Sequence, residues 1–260
     1  MMWQAFVAEF RREWITLRRY PTEFFGELVV VVVIFYGLFL GSSYMSGGGI
    51  FGARLSSVIL GYTLWTLSLA AIGNMGYSIS NEAQNGTLEQ VFLSPVGAVR
   101  ILILRNIASL IFSMLFTILV IYGIMALTGH FLPLSPIDLV PLVMAVGTAM
   151  GIGFLIASIT ILFKRTNQLL GLLQFVLLFI IMTPFTTFHG AWQYLGVIAP
   201  LSPMVGLLQS MLVDHQGLLT APGHWFWWGF VNVALWLGLG IAVFSRAYAR
   251  AKTRGTLGHY

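Results

Sequence analysis

A chain of 260 residues that is 58% hydrophobic and only 8% charged cannot clothe a soluble domain, where about a quarter of residues carry charge. With a mean hydropathy of +0.90, most of its surface has to face lipid, and the chain reads as an integral membrane protein. The lack of cysteine removes disulfides and thiolate metal sites, and the net charge of +5, which on a soluble chain would suggest nucleic acid, is better explained by where the basic residues lie.

The start, Met1-Met2-Trp3-Gln4, lacks a basic segment ahead of an apolar core and a small-residue cleavage site, so no cleaved signal peptide is expected. Over residues 3–20, Trp3, Phe6, Val7, Phe10, Trp14 and Leu17 fall on one arc of about 100°, with Arg11, Arg12, Arg18 and Arg19 off it. A basic helix with Trp and Phe on its apolar side lies in the membrane interface plane. Pro21 ends it.

Six apolar segments follow, near 24–43, 55–77, 97–127, 139–163, 168–188 and 225–246. Each approaches or exceeds the ~20 residues that cross ~30 Å of hydrocarbon. Pro184 is expected to kink or end the fifth. With the N-terminus inside, the inner segments and inner span turns hold Arg11, Arg12, Arg18, Arg19, Arg100, Arg105, Lys164, Arg165, Arg246, Arg250, Lys252 and Arg254. The outer segments hold Arg54 alone. That asymmetry puts both termini in the cytoplasm. It also makes anionic headgroups, not nucleic acid, the partner of the basic charge.

Between the second and third spans lies a polar island from Asn81 to Pro95. Asn85-Gly86 is a turn pair, and Thr87-x-x-Gln90 has capping-box spacing. Leu88, Val91 and Phe92 then share one helical face. Ser94-Pro95 stops this short helix and opens the next. Two turns of helix cannot hold themselves in water. The island has to dock on something.

The outer links at 44–54 and 128–138 are short, but 189–224 is longer and apolar, without Lys or Arg. Two segments broken by Pro200 and Pro203 suggest helices that dip back into the outer leaflet; a loosely ordered surface loop is the alternative.

No G-x-x-x-x-G-K-[ST] occurs, so ATP is not bound here through a P-loop. The histidines His130, His189, His215, His224 and His259 offer no i, i+3 or i, i+4 ligand pair, which argues against a metal site. No charged residue sits centrally in a span, as an ion-driven carrier usually requires. Glu23 and Glu27 share a face at the inner end of the first span and are expected to pair with nearby arginines. Asn74, Asn106, Gln168, Gln174 and Asn232 either line a path or bond between helices, and Gly37-x-x-x-Gly41 and Gly147-x-x-x-Gly151 serve packing within the chain or dimerisation.

Glu82-x-x-x-Gly86-Thr87-Leu88-Glu89, with Ser94-Pro95 downstream, between spans two and three of a six-span chain led by a basic helix, resembles the membrane subunit of a type-2 ABC (ATP-binding cassette) exporter, nearest the drug-export branch. The resemblance covers essentially the whole chain. It implies an all-α integral membrane fold in one domain, 1–260: an interfacial connecting helix over 1–23, a six-span bundle over 24–246, re-entrant outer helices over 189–213, and a basic cytoplasmic tail over 247–260.

By the same resemblance, residues 86–94 form a coupling helix docking on a separate ATP-binding subunit, present in two copies that carry the ATP and Mg, while this chain holds no cofactor and catalyses nothing. Glu82, Gly86, Thr87, Leu88, Glu89, Val91, Phe92, Ser94 and Pro95 carry that coupling, although Glu89 also suits the positive end of its own helix dipole. A second permease, identical or homologous, completes the path in a bacterial or archaeal plasma membrane.

The expected cargo is amphipathic or hydrophobic: a drug, a lipid or a lipid-linked product. Polysaccharide export and, further off, a stand-alone carrier are the alternatives. Phe185, Phe188, Trp192 and Tyr194 form either an outer aromatic gate or interface anchors.

Overall fold

The computed structural model describes residues 2–45, 53–84, 97–163, 167–183, 185, 192–221 and 224–253. Their secondary structure is all helix: α1 (Met2–Arg19), α2 (Pro21–Met45), α3 (Ala53–Gln84), α4 (Ala98–Thr128), a 3-10 turn (Pro136–Asp138), α5 (Leu139–Phe163), α6 (Asn167–Met182), α7 (Trp192–Ile198), α8 (Ser202–Leu212) and α9 (Trp225–Thr253). Tyr20 alone separates α1 from α2. Pro21 then takes the first position of α2, where its missing N–H costs nothing.

Among the described residues five helices are long and apolar enough to cross a membrane, over Pro21–Gly41, Leu55–Asn74, Ile103–Thr128, Pro136–Ile161 and Trp225–Ala251. The remaining expected span, the fifth in chain order over 168–188, matches a shorter helix among the described residues. Helix α6 has 16 residues, about 24 Å of rise against ~30 Å of hydrocarbon. It closes at Met182, two residues before Pro184, because a proline supplies no N–H and pushes the residue before it out of helical geometry. Thr183 finishes the helix by donating both its N–H (3.0 Å) and its Oγ1–H (2.7 Å) to the Phe179 carbonyl.

Helix α5 is the centre of the bundle, packed between α3 and α9. A helix apolar all round has to be covered on every side, by protein or by lipid. The α5 sequence takes the first solution and α2, almost wholly exposed, takes the second. Close approach of α5 and α9 depends on glycine. A Cβ on Gly151 would collide with the Trp236 backbone, and one on Gly240 with the Gly151 backbone. A Cβ on Gly147 would sit 2.9 Å from Val233 Cγ1. The Gly147/Gly151 motif therefore packs within the chain, whereas a Cβ on Gly37 or Gly41 would meet nothing within 4 Å.

Aromatic side chains fasten α3 to its neighbours through their polar tips. Tyr62 donates to the Val31 carbonyl of α2 (2.7 Å), and Trp65 Nε1–H to the Gln174 carbonyl of α6 (3.0 Å). Near the start of α3, Ser56 Oγ lies 2.9 Å from His130 Nε2. Asp138 accepts from the Ser135 N–H (2.6 Å), closing a capping box that starts the approach to α5.

Candidate functional site

The stretch singled out for coupling hangs between two helices longer than the membrane. Helices α3 and α4 have 32 and 31 residues, roughly 47 Å each against ~30 Å of hydrocarbon. The apolar window of α3 ends at Asn74, leaving about ten residues, or ~15 Å, of helix before Gln84. Glu82 is in that last turn. Gly86, Thr87, Leu88, Glu89, Val91, Phe92, Ser94 and Pro95 lie outside the described residues. The chain re-enters at Gly97, whose φ of 87° suits glycine alone, and starts α4 one residue later.

Helix α1 runs beside this re-entry. Glu9 accepts from Arg105 Nε and Nη2 at 3.3 Å, and Glu13 accepts from Ser109 Oγ at 3.0 Å. Four residues along α1 match four along α4, so the two helices advance in the same direction. Phe10 and Trp14 continue the contact onto Phe112, with ring centroids 5.1 and 6.4 Å apart. No residue of α1 is fully buried. Its attachment rests on these polar bonds and one aromatic seam, and Arg105 and Glu9 are largely shielded at 13% and 16% side-chain exposure.

Glu9 and Glu13 lie off the Trp/Phe stripe, so the apolar periodicity of α1 does not single them out. The available signal was two acids four residues apart on an otherwise basic helix. Arg105 entered only as a topology marker. Glu23 and Glu27, expected to pair with arginines, are exposed and make no ion pair among the described residues.

At the other end, Asn232 of α9 is fully buried and holds the turn after α7. Its Nδ2 donates to the carbonyls of Val197 (2.7 Å) and Ala199 (3.1 Å), and its Oδ1 accepts from Thr148 Oγ1 of α5 (3.2 Å). Trp236 Nε1–H adds a bond to Ile198 O (3.0 Å). A helix C-terminus leaves carbonyls without intrahelical partners, and these two side chains answer three in succession. Of the two roles open to Asn232, bonding between helices is the one seen. Helix α8 follows with every residue except Gln209 buried.

Of the four aromatics singled out here, Phe185 packs its Cβ and carbonyl against Gly196. Tyr194 is 66% exposed, Trp192 begins α7, and Phe188 lies outside the described residues.

Among the described residues, three buried polar side chains lack partners: the Asn106 amide, Thr63 Oγ1 and Ser68 Oγ. All three are on α3 or α4, the pair that flanks the coupling stretch. Unpaired polar groups in an apolar interior cost about 1–3 kcal/mol each.

Comparison with curated proteins returns no match. The family model described as ABC-2 family transporter protein matches residues 10–185, a span that takes in α1 from its middle, the α3–α4 pair, the coupling stretch and α5. That is well over half of the chain, which therefore belongs to the ABC-2 transporter family as a type-2 ABC permease, a transport subunit whose ATPase is a separate protein.

Proposed function

We propose that this permease forms the translocation path of an ATP-driven exporter for amphipathic or hydrophobic molecules: drugs, lipids or lipid-linked products. It works as a pair with a second permease, identical or homologous, beside two ATP-binding subunits that hold ATP and Mg. Both termini and the coupling stretch 86–94 face the cytoplasm of a bacterial or archaeal cell, and α7 and α8 form a re-entrant outer hairpin next to an aromatic gate at Phe185, Phe188, Trp192 and Tyr194.

The observation that carries this reading is the end of α3, which runs about ten residues, or ~15 Å, past its apolar window towards the coupling stretch, while α4 begins about five residues, or ~7 Å, ahead of its own. A polar stretch that follows such an extension is available to a soluble partner, and a helix of only two turns, as its sequence pattern suggests, needs one. Force applied there travels along α3 and α4, where the unpaired Asn106, Thr63 and Ser68 side chains make rearrangement cheap relative to a fully satisfied interface. The α1 brace on α4 moves with them. The lack of any charged residue centrally in a span favours an apolar or amphipathic cargo over a polar one.

The test is reconstitution of the chain with a Walker-motif ATPase in inverted vesicles, followed by ATP-dependent accumulation of a lipophilic fluorescent dye. Stable co-purification and dye uptake that stops with a hydrolysis-dead ATPase are the expected results. A chain that binds no ATPase, or that moves dye equally well without ATP, refutes the reading.

A further inference from the structure

The two sides of α1 divide its charges. Glu9 and Glu13 turn towards α4, while Arg11, Arg12, Arg18 and Arg19 are all exposed. The outward side therefore carries cations and no acid. It also carries apolar side chains that the bundle does not cover: Trp3, Val7, Trp14 and Ile15 are exposed. Between these groups runs a shallow, open furrow formed by α1 alone, where Trp3, Val7, Ala8 and Ile15 alternate with Gln4, Arg11, Arg12 and Thr16. From Trp3 to Thr16 it extends roughly 20 Å along the helix.

We propose that this furrow binds an anionic phospholipid, with the headgroup phosphate on Arg11 and Arg12 and an acyl chain laid along Trp3, Val7 and Ile15. Arg11 is the principal anchor. It makes no ion pair among the described residues, whereas Arg12 already shares Glu9 at 3.6 Å. A strip in which exposed Trp3, Val7 and Ile15 flank the cations Arg11 and Arg12 matches a molecule with an apolar tail and an anionic head.

Further along, Arg18 lies over the Trp14 ring (5.4 Å) and Arg19 over Tyr20 (5.7 Å), cation and aromatic together as at a headgroup boundary. One residue later α2 begins, and its exposed Phe25, Val29 and Val33 continue an uncovered apolar surface. The acidic surface of a protein would satisfy the arginines but has no counterpart for exposed Trp3, Val7 and Ile15 on a furrow that leads into a membrane span. The inference does not rest on the export reading, because it concerns this chain without its ATPase.

The experiment uses the full chain purified in a neutral detergent and titrated with phosphatidylglycerol, with phosphatidylcholine of the same acyl chains, and with soluble glycerol phosphate; native mass spectrometry counts the molecules retained. Phosphatidylglycerol should be kept in preference to phosphatidylcholine, and glycerol phosphate should not compete at equal concentration. The double substitution Arg11→Gln/Arg12→Gln should weaken phosphatidylglycerol on the order of 30-fold at about 1 kcal/mol per arginine, leaving phosphatidylcholine unchanged.

Val7→Asn/Ile15→Asn should weaken both lipids. Helix content by circular dichroism should be unchanged in both variants, since every altered side chain is on the surface. Equal retention of the two lipids, displacement by glycerol phosphate, or undiminished binding in the arginine variant would overturn the proposal. So would an arginine variant that keeps its lipid but loses a co-purifying ATP-binding subunit, which would assign the surface to a protein.

Discussion

The Glu9 carboxylate accepts from the Arg105 guanidinium at 3.3 Å through both of its oxygens, across a sequence separation of 96 residues. The bond ties α1, which has no buried residue, to α4 eight residues after α4 re-enters from the coupling stretch at Gly97. Removing one partner of a shielded ion pair strands the other charge in a poorly solvated place, which costs about 3–5 kcal/mol when burial is complete and less here, where both groups retain some exposure.

Arg105→Ala should therefore release α1 while leaving the rest of the bundle folded. Hydrogen exchange should rise across residues 2–19 and little elsewhere. Glu9→Arg with Arg105→Glu should restore part of the protection. Unaltered exchange in the single variant would mean that the Phe10–Phe112 seam alone holds the helix.

Asn232 offers a graded series. Asn232→Ala leaves the carbonyls after α7 without their donor, at about 1–3 kcal/mol. Asn232→Asp is worse, because it replaces a donor with a charge facing carbonyl oxygens. Thr148→Val removes one bond at 3.2 Å and costs about 1 kcal/mol. Melting temperatures in detergent should fall in the order wild type, Thr148→Val, Asn232→Ala, Asn232→Asp. A different order would show that the node is not what holds α7.

Two glycine motifs of the same spacing should behave oppositely. Gly151→Ala drives a methyl into the Trp236 backbone, which cannot swing aside as a side chain can, so α5 and α9 must separate at a cost of about 3 kcal/mol or more. Gly37→Ala adds a methyl to open space and should leave the melting temperature within about 1 °C, a change of a few tenths of a kcal/mol. Equal stability losses would contradict the packing described.

Asn106→Leu exchanges an unpaired buried amide for an apolar side chain of similar size, and should raise stability by about 1 kcal/mol. If α3 and α4 rearrange during transport, the same change should slow ATP-driven uptake. A less stable variant would mean that ordered water already serves the amide.

Phe92→Ala and Glu89→Lys should each reduce ATP-driven export about tenfold or more while membrane insertion stays normal, since both positions lie in the polar island between apolar segments of the sequence. Normal ATPase binding together with normal export in both variants would remove the coupling role from residues 86–94.

Much of the fold was legible because lipid leaves so few choices. A run such as Val29–Tyr36 has to be helical, since only a helix satisfies its own backbone in hydrocarbon. Five helices apolar enough to cross a membrane, the break before Pro21 and the short α7 and α8 follow from that constraint together with proline placement. Of the fifth expected span, the described helix covers Asn167–Met182, and Thr183 closes it one residue ahead of Pro184.

Sequence by itself determined the class: apolar composition demands a membrane, one-sided basic charge suggests an orientation, and the Glu82–Pro95 island names the family that the match over residues 10–185 bears out. Only the tertiary structure decided which side chains meet. Glu9 and Arg105, or Asn232 and the carbonyls after α7, are 96 and some 35 residues apart along the chain. No local periodicity records such separations, because helix period reports only which way a side chain faces. What stands opposite it depends on how closely neighbouring helices pack, and here that distance is set by Gly151 and Gly240.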